Sequence, residues 1–132
     1  MVSNSMASVH SGSERVRAFL PTRDFERSKQ FYEAIGFEKV LDGDVAIFNA
    51  GSGGFILQRG EDTQNMMMQV MVDDLDAWWT HIASLDLAAR FGVPAPRPPA
   101  VQPWGLRIVY VTDPAGVLWH VAERRAAAPQ DR

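Results

Sequence analysis

The chain states one pattern twice. Asp24-Phe25-Glu26-Arg27 and Asp74-Leu75-Asp76-Ala77 stand fifty residues apart, each behind a short apolar run and each opening a helical pattern. Asp suits the position before a helix because its carboxylate accepts from first-turn amides that have no partner within the helix. In the first segment Phe25, Ser28, Phe31, Tyr32 and Ile35 recur on one face, and Gly36 falls where a left-handed C-terminal cap is expected. Leu75, Trp78, Trp79 and Ile82 repeat that stripe in the second. The first helix is followed by strand patterns at 37–41, 44–49 and 54–58, with turns at Asp42-Gly43 and around Gly51 to Gly54. The second is followed by a short strand near 88–91, a proline-rich loop from Val93 to Pro103, and strands at 105–112 and 117–122. Each half therefore reads β-α-β-β-β, and a repeat of this size implies a duplicated unit. The expected class is α+β: two tandem βαβββ modules, about 15–60 and 65–123, forming a curved mixed sheet within one domain spanning 15–123.

Composition sets limits on partners. With 132 residues, 46% of them hydrophobic, the chain fits one core. Thirteen Lys and Arg against sixteen Asp and Glu give a net charge of −3, and no basic run is present to follow a phosphate backbone, so nucleic acid is not expected as a partner. There is no cysteine, which removes disulfides, thiolate nucleophiles and zinc-thiolate sites together. No run approaches the ~20 apolar residues needed to cross a bilayer, no signal pattern opens the chain, and a cytoplasmic protein without membrane contact is expected. Residues 1–14 are Ser-rich and aperiodic and are read as a disordered tail, with Met6 as an alternative start to Met1. Residues 124–132 are read as a C-terminal tail.

The most informative stretch is QPWGLRIVYVTDPAGVLWHVAE, residues 102–123: strand, Asp-Pro-Ala-Gly turn, strand. With the doubled βαβββ pattern, it resembles the closing hairpin of the vicinal oxygen chelate superfamily of glyoxalases, ring-cleaving dioxygenases and bleomycin resistance proteins. The run QPWG, DPAG and His-x-Val-Ala-Glu is most similar to the bleomycin resistance branch, whose members sequester a drug without chemistry.

In metal-dependent members of that superfamily, the ligands project from the first and last strands of each half. Carried over by position, these places fall on Arg17, seven residues before Asp24; Met67, seven before Asp74; Gln58, at the end of the first half's last strand; and His120, seven after Asp113. A permanently cationic guanidinium repels a metal ion and a thioether is a poor ligand for Zn, Ni, Mn or Fe, which leaves one imidazole and one amide. No metal, cofactor or catalytic residue is expected. Gly51-Ser52-Gly53-Gly54 precedes a strand and lacks Lys, so it reads as a hairpin turn rather than a phosphate loop.

Period-two alternation divides the strands into a helix-packed face and a ligand face. Met66, Met68, Val70 and Val72 oppose Met67, Gln69 and Met71; Val117, Trp119 and Val121 oppose Leu118, His120 and Ala122. The candidate ligand-binding residues are Trp104, His120, Arg17, Phe19, Gln58, Met67 and Gln69. Trp104 matches the QPWG tryptophan, which the resemblance implies stacks on the planar part of a drug, against the alternative of loop packing. His120 is either a polar anchor for a ligand or a core side chain bonded to Gln58 or a backbone carbonyl. Arg17 calls for a carboxylate, solvent or an anionic ligand, an ion pair being the first expectation. The five prolines of the 94–105 stretch stiffen it, and with Val101 and Trp104 it is expected to form a pocket wall. Leu41, Val45 and Gln69 stand where the bleomycin resistance branch brings further aromatics. The reading is a metal-independent, homodimeric binder of a small planar or aromatic molecule, in the manner of antibiotic sequestration. The alternative is a metal-dependent lyase or dioxygenase of the glyoxalase type with an atypical or relocated site on His120 together with Gln58 or a carboxylate.

Overall fold

A computed structural model describes residues 16–62 and 65–124; the two expected tails lie outside this range, apart from Arg124. Strands β1 (Arg17–Thr22), β2 (Glu38–Asp42), β3 (Ala46–Ala50) and β4 (Gly53–Arg59) surround helix α1 (Phe25–Ile35) in sequence. Then come β5 (Met67–Val72), helices α2 (Leu75–Ser84) and α3 (Leu87–Phe91), and strands β6 (Ala100–Val101), β7 (Arg107–Thr112) and β8 (Leu118–Glu123). They form two four-stranded sheets of the same topology, β1-β4-β3-β2 and β5-β8-β7-β6. In each, the first and last strands of the module run parallel and the other neighbours antiparallel.

The punctuation behaves as its chemistry requires. Asp24 accepts from the Arg27 amide at 3.1 Å, and Asp74 from the Ala77 amide at 2.9 Å. Gly36 ends α1 at φ 106°, where a side chain would be strained, and the amides of Gly36 and Phe37 return to the carbonyls of Glu33 and Tyr32. Segment 88–91 is a correction: the expected strand is the short helix α3. Leu87 and Phe91 are both buried, and the amides of Arg90 and Gly92 return to the carbonyls of Asp86 and Ala88, four residues back, so the backbone bonds are satisfied within the segment as in a helix. The first of the three strands after α2 is instead β6, inside the proline-rich segment, which pairs with β7 through Ala100 and Val101. Arg124 is not part of a free tail, since its amide donates to the Val72 carbonyl and its guanidinium pairs with Asp73.

The core lies between the helices and one face of each sheet, and it is continuous across the modules. Tyr32 of α1 packs its ring 4.6 Å from Phe55 and 5.9 Å from Trp119, and Phe37 lies 5.2 Å from Trp119. The Tyr32 hydroxyl donates to Oδ2 of Asp113 and accepts from the Trp119 indole at 3.0 Å, joining the first helix to the last hairpin. The other carboxylate oxygen of Asp113 accepts from the amides of Ala115 and Val117, closing the Asp-Pro-Ala-Gly turn. Across the same seam, His81 Nε2 lies 2.9 Å from the Ala34 carbonyl.

Burial, opposed by the Tyr32 and main-chain hydrogen bonds, raises the carboxyl of Asp113 above its ordinary range. A raised folded-state value means a contribution to stability that is complete below the unfolded-state range and is lost as pH climbs through the folded-state value. The stability of wild type relative to Asp113→Asn is therefore expected to grow as pH falls from neutrality toward the ordinary carboxylate range. Urea unfolding of both proteins at several pH values checks this, and parallel pH profiles would refute it. Tyr32→Phe strands the Asp113 oxygen and the Trp119 indole together and is expected to cost about 1–3 kcal/mol in the same assay.

Candidate functional site

Because the core occupies one face of each sheet, the other face is left for function. On the first sheet the alternation that buries Leu20, Phe55, Leu57 and Phe48 turns Arg17, Phe19, Ile56 and Gln58 the other way. On the second sheet Trp119, Val121, Val109 and Val111 enter the core. Met67, Gln69, Leu118, His120, Tyr110 and Thr112 share the opposite face. The expected division of the strands holds at each of these positions. Met66, Met68 and Val70 pack on the core while Met67 is 61% exposed. Trp119 is core, and Trp78 and Trp79 pack against it from α2.

Arg17, Gln58, Met67 and His120, the four positions expected to match metal ligands, all fall on these open faces, Arg17 and Gln58 on one sheet, Met67 and His120 on the other. Their surroundings explain their chemistry. Arg17 aligns with Gly54, and Gly54 with Asn49, so the three occupy one row across β1, β4 and β3. The guanidinium reaches over the glycine to donate from Nη2 to Asn49 Oδ1 at 3.2 Å. A β-carbon at position 54 would overlap the Phe48 carbonyl and come within 3.3 Å of Asn49 Oδ1. The ion pair expected for Arg17 is therefore replaced by a neutral carboxamide. Its Nε is buried without a partner, so the cation is incompletely satisfied within the described residues.

His120 also departs from expectation. It sits between Gln69 of β5 and Tyr110 of β7, with its ring 4.8 Å from that of Tyr110 in an edge-on arrangement. Gln58 belongs to the other sheet, and His120 Nε2 is buried with no hydrogen-bond partner, so neither partner proposed for a core role is present. Among the described residues no three His, Asp or Glu side chains converge as a metal-binding group.

The proline-rich segment is a strap alongside the second sheet. Pro94, Pro96 and Pro98 with Ala100 form one wall of a cleft of about 320 Å³, while Ile108, Tyr110 and Thr112 of β7 form the other. Val101 and Trp104, expected as the wall, are instead 69% and 58% exposed. Trp104 stands in the tight turn before β7, which the Gly105 amide closes by donating to the Gln102 carbonyl. Sequence reasoning missed Tyr110, Thr112 and Arg97, all of which line this cleft. The alternation of β7 was a signal that could have found the first two. Gly51 and Ser52 form the hairpin turn between β3 and β4, with Gly53 and Gly54 already in β4, and the four border a second cleft of about 410 Å³ at the seam between the sheets.

Comparison with known proteins agrees with this geometry. Residues 14–121 match the model of the Glyoxalase/Bleomycin resistance protein/Dioxygenase superfamily. A bleomycin resistance protein from Klebsiella pneumoniae is 28% identical over 123 residues, which cover 83% of this chain and 91% of that protein. The crystal structure of a bleomycin-binding protein complexed with bleomycin superposes with a TM-score of 0.72 at 24% identity, over 85% of this chain and 99% of the other, a likeness of fold. A bleomycin-binding protein from Streptomyces verticillus, complexed with copper(II)-bleomycin, gives 0.68 at 27% identity, over 85% and 97%.

The row through Gly54 is open to test. Gly54→Ala is expected to destabilise the fold by about 2 kcal/mol or more, because backbone must move to admit the methyl group. Asn49→Ala, which removes only the half-buried acceptor, is expected to cost about 1 kcal/mol. Equal losses in urea unfolding would mean that the glycine serves no steric purpose here.

Proposed function

Since the chain belongs to the Glyoxalase/Bleomycin resistance protein/Dioxygenase superfamily, we propose that it is a metal-independent binding protein of that family, protecting by sequestration of a planar antibiotic of the bleomycin class. The observation that carries this reading is the set Arg17, Gln58, Met67 and His120 on the open faces. A guanidinium held across Gly54 to Asn49 places positive charge where a chelating member needs a donor, and Met67 presents a thioether to solvent. Neither side chain suits a hard or borderline divalent ion. What remains is a surface of exposed apolar groups with isolated polar ones, the composition that binds organic molecules.

The ligand residues on this reading are Trp104, His120, Arg17, Phe19, Gln58, Met67 and Gln69. Phe19 and Trp104 are more than half exposed, as aromatic groups that stack on a flat ligand must be before it arrives. The working unit is a homodimer in the cytoplasm, in which a second copy covers the apolar groups of the open faces, among them Phe19 and Met67. Bleomycin comes into consideration through the relatives from Klebsiella pneumoniae and Streptomyces verticillus.

Titration of the purified protein with bleomycin, followed by tryptophan emission and calorimetry, tests the reading. Saturable binding that weakens about tenfold or more in Trp104→Ala is expected, a loss consistent with removal of one well-used aromatic contact. Absence of binding to bleomycin and other planar drugs would overturn it. So would stoichiometric Zn, Ni, Mn or Fe that disappears in His120→Ala, which would instead establish the lyase or dioxygenase reading.

A further inference from the structure

The cleft under the proline strap has a chemical bias that the bleomycin reading does not account for. Its lining carries one formal charge, the guanidinium of Arg97, and no carboxylate. Arg97, Tyr110 and Thr112 are among the residues that line it, and none of the three side chains has a hydrogen-bond or ion-pair partner among the described residues. The other arginines of the second module are occupied. Arg107 is held by Asp76 and Glu123, Arg124 by Asp73, and Arg90 lies over the Phe91 ring.

The strap makes this arrangement a prepared one. Arg97 stands between Pro96 and Pro98, so the following proline confines it to extended backbone while its neighbours' φ angles are fixed by their rings. The direction in which Arg97 leaves the chain is thus set before any ligand binds, so no backbone ordering is added to the side-chain ordering that binding requires. The apolar wall of prolines faces Ile108 and the ring of Tyr110, which His120 in turn supports edge-on at 4.8 Å. Flat walls on two sides suit a flat molecule. A guanidinium with two hydroxyls suits an acceptor-rich anionic group, which Arg can engage through two parallel N–H donors.

We propose that the cleft between the proline strap and β7 binds planar aromatic carboxylates, with Arg97 as the counter-charge and Tyr110 and Thr112 as the hydrogen-bonding floor. The assignment rests on the proposed binding function and specifies the ligand class of that open face. It runs against the net negative charge of the chain, because a charge at contact acts more strongly than distant charges screened by salt.

The probes are three isosteres of one flat ring system: 2-naphthoate, 2-naphthylmethanol and 2-naphthylmethylamine, titrated against the full chain by naphthalene fluorescence anisotropy. The expected result is naphthoate bound about tenfold more tightly than the amine, with the alcohol between them. Arg97→Gln is expected to erase that order, and Arg23→Gln, which removes the same charge from the first module at a residue that does not line the cleft, to preserve it. Tyr110→Phe is expected to weaken naphthoate more than the amine. The proposal is overturned if the amine binds as well as the carboxylate, if the preference survives in Arg97→Gln, or if none of the three binds. Bleomycin titrated in parallel reports on sequestration separately, so a chain that binds bleomycin but not naphthoate would lose only this inference.

Discussion

The hydrogen bonds that meet at the Tyr32 hydroxyl hold the two halves of this protein together. One phenol serves a carboxylate and an indole from the other module, in the centre of an aromatic cluster where water cannot substitute for any of them. Burial and the neighbouring Asp113 charge push the phenol well above its ordinary range, which favours keeping the proton it donates. Asp113 meanwhile shapes the turn that brings β8 back along β7. The local geometry of the last hairpin and the docking of the first helix thus depend on the same carboxylate.

From that junction follows the availability of the binding faces. A duplicated βαβββ unit has apolar residues enough to cover one side of each sheet. Tyr32, Phe37, Phe55 and Trp119 draw those sides into a single core. The opposite sides receive what strict alternation sends them: large apolar groups, isolated amides, one arginine and one histidine. These side chains are poorly satisfied within the described residues, Arg17 at Nε and His120 at Nε2, which is costly in a core and useful where a ligand is to be recognised.

Much of this was legible along the chain, and for identifiable reasons. The helix starts were carried by Asp24 and Asp74, whose capping depends on neighbours three residues away. The facing of Met66 to Val72 and of Val117 to Ala122 followed from the pleat. Segment 88–91 was misread because five residues are too few for periodicity to separate helix from strand, and burial of Leu87 and Phe91 against other elements decided the matter. The partner of Arg17 was not legible either. Asn49 lies 32 residues away, and only the pairing of three strands puts both over Gly54.

The chain by itself determined the doubled module and the faces of its strands, because each is a matter of residue type and short-range spacing. Tertiary structure decided which elements share a sheet, that Arg17 is met by an amide rather than a carboxylate, and that the proline strap lies beside β7 with Arg97 over the cleft. Those outcomes depend on contacts between segments far apart in sequence, whose selection is made by packing rather than by any local preference.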